Sequence, residues 1–204
     1  NRISGDVRRE HRLPVAAVRV MRHVVPALIR GLAVPMQVLA AMATRPVVLP
    51  NRVLVGTHHK TGTVWMLRVF QSICRELRLR LEHGHGARCS DTCDVYVSYD
   101  SQCGWQDSIR PWKGLHLIRD PRDVIVSAAF YHATSRERWL HVKRPEFGGL
   151  TYCEKINSYP TIDGRISFEM EHDSRGTVDQ LACWDYSNPR FFEAKYEALL
   201  ADDD

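Results

Sequence analysis

Long apolar runs are missing from this chain. The one apolar stretch, Pro14 to Thr44, is interrupted by Arg19, Arg22, His23, Arg30 and Gln37, and Pro26 and Pro35 would break or kink any helix there. No span of about twenty apolar residues remains, so a transmembrane helix is not expected. Massed charge is missing too: 28 Lys and Arg stand against 24 Asp and Glu, a net +4 scattered along the chain. No nucleic-acid partner is therefore expected, and an anionic small molecule suits the balance equally well. A complete paired-ligand zinc signature is also absent. A set could be drawn from His83, His85, Cys89, Cys93 and Cys103, but it fits no zinc signature, and no metal is expected. The other cysteines are Cys74, Cys153 and Cys183; 204 residues can bury a core without disulfides, which points to a reducing, cytoplasmic setting. Internal repeats and low-complexity tracts are lacking. At 44% hydrophobic and 25% charged, the chain has the composition of one ordinary globular domain.

What the chain does have is concentrated between Arg52 and Phe70. Val53, Leu54 and Val55 form a short β-branched run that ends at Gly56, the pattern of a strand buried on both faces. From Val64 the period changes: Met66, Val69, Phe70, Ile73, Cys74 and Leu77 fall on one helical face. Between them lies His58-His59-Lys60-Thr61-Gly62-Thr63. Gly62 permits a tight turn, the helix N-terminus presents free amides, Lys60 adds a full charge, and Thr61 and Thr63 bring hydroxyl donors. Such a loop suits phosphate or a related oxyanion. The standard nucleotide-triphosphatase loop is not matched, because Lys60 precedes Gly62.

Residues 1–13 are polar, basic and expected to fray. Residues 1–50 are expected to form a helical N-terminal extension of a main domain at 51–204. Its basic face leaves two placements open: an anionic membrane surface, contacted through residues 14–44, or solvent. Leu81 to Asp94 reads as a loop, Val95 to Val97 as a strand ending at Ser98-Tyr99-Asp100, and Leu115 to Ile118 as a third strand. Asp120 as N-cap and Pro121 at the first helical position start a helix, leaving Arg119 at the carboxyl end of a strand, where open parallel sheets bind ligands. Arg119 and Arg122 could equally pair with neighbouring Asp residues. Residues 133–176 read as a short helix near Arg136 to Val142 followed by loops. Val178 to Tyr186 reads as a helix, and Arg190 to Tyr196 as a strand followed by a helix start. Strands alternating with helices imply α/β architecture with a mostly parallel central sheet flanked by helices.

With these stretches in view, the chain from about 51 to 201 resembles the sulfotransferases that use 3′-phosphoadenosine 5′-phosphosulfate (PAPS), whose fold is similar to that of P-loop nucleoside triphosphatases. Three motifs in the family's order carry the resemblance. Lys60-Thr61-Gly62-Thr63-Val64-Trp65 resembles the loop around the 5′-phosphosulfate, which implies Lys60 at the bridging region and Trp65 near the adenine. Arg119 and Ser127, eight apart, resemble the pair that grips the 3′-phosphate. Lys195-Tyr196-Glu197-Ala198-Leu199 resembles the family's Tyr-Glu-Asp-Leu segment and implies Tyr196 near the nucleotide. The resemblance implies PAPS as co-substrate, no metal, and a small-molecule or carbohydrate acceptor bearing a hydroxyl or amine.

The pattern also departs from the family. His58 and His59 replace an aromatic-proline pair, and Ser98-Tyr99-Asp100 stands where cytosolic members carry a catalytic His. The base candidates are therefore Asp100, Glu82, His83 and His85. The family's basic, glycine-containing C-terminal segment has no counterpart before Asp204, and the chain begins at Asn1, so a fragment with weakened nucleotide affinity is expected. Two alternatives stand beside this reading. One is a small-molecule kinase with Thr61 after the loop Lys; the other is a catalytically silent, membrane-associated scaffold.

Overall fold

The computed structural model describes residues 49, 51–86, 89–102 and 110–200. The expected N-terminal extension, residues 1–50, lies almost wholly outside the described residues, as does Cys103. Among the described residues, no helix is long and apolar enough to cross a membrane.

Five parallel strands form one sheet in the order β2-β3-β1-β4-β5. They are β1 (Arg52–Gly56), β2 (Leu81–Gly84), β3 (Val95–Ser98), β4 (Trp112–Ile118) and β5 (Phe191–Lys195). β1 is central, with Val55 opposite Val97 on one side and Leu115 on the other. The chain leaves β1 for β2 and β3 on one flank, then crosses to β4 and β5 on the other. That reversal opens a crevice at the carboxyl ends of β1, β3 and β4. α/β architecture with a parallel sheet is thus present as the alternation of elements implies.

Helix α1 (Thr63–Leu77) covers one face, and the periodic row Met66, Val69, Phe70, Ile73 and Cys74 is buried against Val55, Val97, Leu115 and Leu117. The opposite face carries Leu54, Tyr96 and Trp112. α2 (Pro121–His132) begins as its sequence dictates: the Asp120 carboxylate accepts from Arg122 N at 2.9 Å, with Pro121 in the first turn.

Two stretches differ from expectation. Leu81 to Gly84, read as loop, is edge strand β2, paired with β3 from Leu81 opposite Val95 to Gly84 opposite Ser98. An edge strand needs apolar cover on one side only, so its mixed Leu-Glu-His-Gly composition gives no strand pattern. Residues 133–176 hold far more helix than expected: α3 (Tyr152–Asn157), α4 (Ile162–Glu171) and α5 (Asp173–Ala182) follow two 3₁₀ turns at Arg138–His141 and Pro145–Phe147. These helices are short and pack mainly on one another and on α2, burying Leu140, Tyr152, Ile156 and Phe168 in a cluster of their own. No long apolar stripe is required of them. α6 (Tyr196–Leu200) closes the described chain.

Burial pushes the thiols of Cys74 and Cys93 up to about 12, whereas Cys183 is exposed. Since the thiolate is the reactive form, mass mapping after a short pulse of thiol reagent at pH 8 is expected to find Cys183 labelled and Cys74 and Cys93 unlabelled until denaturant is added. Rapid native labelling of Cys74 would contradict the packing of α1 on the sheet.

Candidate functional site

The loop from Thr57 to Gly62 is built almost entirely from its own polar groups. The Thr61 hydroxyl accepts from His58 N and donates to His58 O, both at 2.9 Å. The Thr63 hydroxyl lies 2.9 Å from Thr57 Oγ1 and from His58 O. Both threonine hydroxyls therefore brace the loop here, where the sequence alone offered them as anion donors. Gly62 takes φ 109°, and a Cβ there would stand 3.0 Å from the Tyr196 ring and 3.1 Å from Leu117. Lys60 also holds positive φ, 62°, a conformation that costs a non-glycine residue and often marks a functional constraint.

That turn carries the Lys60 ammonium to 3.8 Å from the centre of the Tyr131 ring. Burial, then the charge of Arg119, lowers its pKa from the ordinary lysine value. Arg119, at the end of β4, donates from Nη1 to the Lys60 carbonyl at 3.0 Å and lies over Tyr196, 4.6 Å from the ring centre. Its Nε is buried without a hydrogen-bond partner. Among the described residues, neither cation has a carboxylate within ion-pair range, whereas Arg122 is held by Asp120 in a two-pronged contact with N···O distances of 3.0 and 2.6 Å. The surface-pair alternative thus describes Arg122 and not Arg119.

Lys60, Gly62, Thr63, Val64, Trp65, Arg119, Ser127 and Tyr196 all line one cavity of about 1270 Å³ at the carboxyl edge of the sheet. Trp65 meets Tyr196 edge to face at 5.8 Å. Glu197 accepts from Asp120 N at 2.9 Å, which ties the chain after β5 to the start of α2. Thr61 is buried beneath the loop.

The base candidates separate. Asp100 lines the cavity, and its carboxylate accepts from the Ser98 hydroxyl, Gly86 N and Gln102 N at 2.9, 2.9 and 3.2 Å. His85 also lines it, 3.9 Å from Asp100. Glu82 and His83 are not among the lining residues. Glu82 accepts from Ser90 N at 2.8 Å on the sheet edge, and His83 lies 2.5 Å from the Tyr99 hydroxyl. As neighbours on β2 they point to opposite faces of the sheet; His83 reaches the cavity only through Tyr99, which lines it.

Two histidine pairings escaped the sequence reading. His58 and His116 approach Nε2 to Nε2 at 2.9 Å, with Gln180 and Glu193 on their other nitrogens. His59 and His132 do the same at 3.0 Å, and His132 Nδ1 lies 2.7 Å from Glu169, which is itself fully buried. Burial, reinforced by His132 and Lys60, pushes His59 down to about 4, so it is neutral near pH 7. Only the His58-His59 doublet beside the loop hinted at either pair; their partners arrive from β4 and the last turn of α2.

The arrangement is that of a parallel α/β protein with Lys60 and Arg119 lining one cavity at its switch point. No family model matches the chain, and no curated protein does either. Among solved structures, a mouse sulfotransferase, SULT7A1, complexed with PAP is similar, with 13% identity and a TM-score of 0.48 over 80% of this chain. The match spans 58% of that protein's chain, and a likeness of this degree assigns no activity or residue role here.

Gly62→Ala is expected to cost about 1 to 3 kcal/mol by denaturant unfolding, from positive φ and the collision with Tyr196. An unchanged midpoint would mean that the loop does not hold this conformation.

Proposed function

We propose that the protein is a sulfotransferase that moves a sulfuryl group from PAPS to a hydroxyl or amine of a small-molecule or carbohydrate acceptor. The observation that carries this reading is the convergence of two uncompensated cations, Lys60 and Arg119, on one cavity, with a buried Arg119 N–H lacking a partner. A nucleotide bearing phosphate groups at both ends needs two separate anion holes. Lys60 with the amides at the start of α1 suits the 5′ end, and Arg119 with Ser127 suits the 3′-phosphate. Trp65 and Tyr196 offer aromatic surface for the adenine.

The bound nucleotide supplies the sulfuryl group and departs as adenosine 3′,5′-bisphosphate. Sulfuryl transfer, like phosphoryl transfer, asks the protein mainly for in-line positioning and charge stabilisation. Lys60 neutralises the charge that develops on the leaving phosphate oxygen as the S–O bond breaks and the bond to the acceptor forms. The acceptor's proton passes to a base in the cavity, a role we assign to Asp100. A carboxylate has about four lone-pair sites, and three hydrogen bonds on Asp100 leave room for one more. The placement of Glu82 and His83 outside the cavity argues against them. Thr61 is fully buried, with its hydroxyl bonded to His58 N and O, which argues against a magnesium-dependent kinase that needs that hydroxyl at a metal in the cavity.

In thermal-shift titrations, adenosine 3′,5′-bisphosphate is expected to raise the melting temperature with saturation and ATP with Mg²⁺ to do little; Lys60→Ala and Arg119→Ala should each blunt the shift. The reverse order of nucleotides would favour the kinase reading. Once an acceptor is in hand, Lys60→Ala should slow transfer by about 100-fold, equivalent to about 3 kcal/mol. A rate unchanged by that substitution would remove Lys60 from the chemistry.

A further inference from the structure

Beside the nucleotide-facing residues, three ligand-type atoms from three separate elements converge: His59 Nε2 from the loop after β1, His132 Nε2 from the end of α2, and Asp173 Oδ2 from the start of α5. They lie 3.0, 3.8 and 4.0 Å apart. A point equidistant from three atoms so spaced lies about 2.1 Å from each, the length of a Zn–N or Zn–O bond. We infer that His59, His132 and Asp173 form a site for a zinc-type divalent cation, with an open coordination position towards the cavity.

Three features distinguish this trio from a packed histidine pair. His132 is fully buried and has Glu169 on Nδ1 at 2.7 Å, leaving Nε2 for an ion; Glu169 is steadied in turn by the Ser174 hydroxyl at 3.0 Å. A carboxylate on the far nitrogen is the usual support of a metal-bound histidine. The Asp173 carboxylate accepts no hydrogen bond among the described residues, and the two imidazoles lie within 4.0 Å of it. The side chains of His59 and Asp173 are about one third exposed, 34% and 33%, and both line the large cavity, so exchangeable ligands can reach the ion. The His58-His116 pair provides the contrast: it has the same Nε2 approach, but among the described residues no carboxylate joins its Nε2 atoms within ligand range.

Two imidazoles and one carboxylate suit Zn²⁺ or Co²⁺ and not Mg²⁺, which takes oxygen ligands and water. Three protein ligands with a free position are the pattern of a reactive zinc site rather than a structural one. The free position accepts an oxygen or nitrogen donor from the cavity. His59 and the Lys60 ammonium flank the same Tyr131 ring, at 6.1 and 3.8 Å, so such a donor would lie near the proposed transfer site. The cation site does not depend on the sulfotransferase reading.

The test uses the full chain stripped with EDTA, titrated with Zn²⁺ and Co²⁺ in the absence of nucleotide. One Zn²⁺ per chain is expected, together with an intense visible Co²⁺ absorption of low coordination number. His59→Ala and Asp173→Ala should each weaken binding at least tenfold, Glu169→Gln should weaken it by about 10- to 100-fold, and His141→Ala, at an exposed histidine outside the trio, should bind as the parent does. Asp173→Asn, nearly isosteric, serves if either alanine variant fails to fold. Substoichiometric binding, or affinity unchanged by loss of Asp173, would overturn the site and leave His59 and His132 as a hydrogen-bonded pair. Because no nucleotide is present, this result is independent of whether adenosine 3′,5′-bisphosphate binds.

Discussion

Arg119 donates a hydrogen bond to the carbonyl of Lys60, and that contact couples the two strand ends on which the site is built. β1 and β4 are hydrogen-bonded neighbours, so their carboxyl ends emerge side by side. Adjacent emergence alone would bring two cations together, an arrangement that repulsion opposes. Here the guanidinium is held by a backbone carbonyl and by the Tyr196 ring, while the ammonium turns away to the Tyr131 ring. Cation–π contacts of this kind contribute about 0.5 to 2 kcal/mol each. They hold like charges near one another without cancelling them, as a cavity for a polyanion requires.

The same contact explains several local features. Lys60 adopts positive φ, and Gly62 must lack a Cβ because Tyr196 and Leu117 press on it. Tyr196 can reach that position because β5 pairs with β4, with Lys195 opposite Ile118, and because Glu197 caps the backbone at Asp120. The segment after β5 is thus structural and site-forming at once.

Much of this was legible in the sequence because it rests on local rules. The β-branched run before Gly56, the helical period from Met66 to Cys74, and Asp120-Pro121 at a helix start each act within a few residues. Val178 to Ala182 reads as helix, but the rest of the helices between 151 and 177 was not legible, for a physical reason. Gly164 and Gly176 sit inside them, and their apolar positions are sparse because they bury against one another instead of a sheet. The usable signal was in the caps: Thr151 and Glu154 form a reciprocal capping box, and Thr161 accepts from Gly164 N. For the histidine pairs the sequence offered only the His58-His59 doublet and nothing to name their partners. His59, His132 and Glu169 come from different elements, and no spacing rule links residues that only tertiary packing unites. Glu82 and His83 show the converse hazard: both are base candidates by sequence, yet on edge strand β2 Glu82 is engaged by Ser90 and His83 by Tyr99, and neither lines the cavity.

The central claim is that one cavity holds a doubly phosphorylated adenosine by its two ends through different residues. Calorimetric titration with adenosine 5′-monophosphate and adenosine 3′,5′-bisphosphate, on the parent chain and on Arg119→Ala, tests this most directly. The account predicts that the bisphosphate binds more tightly to the parent and that Arg119→Ala erases most of that advantage while leaving the 5′-monophosphate nearly unaffected. Equal affinity of the parent for both nucleotides, or equal loss for both in Arg119→Ala, would contradict it.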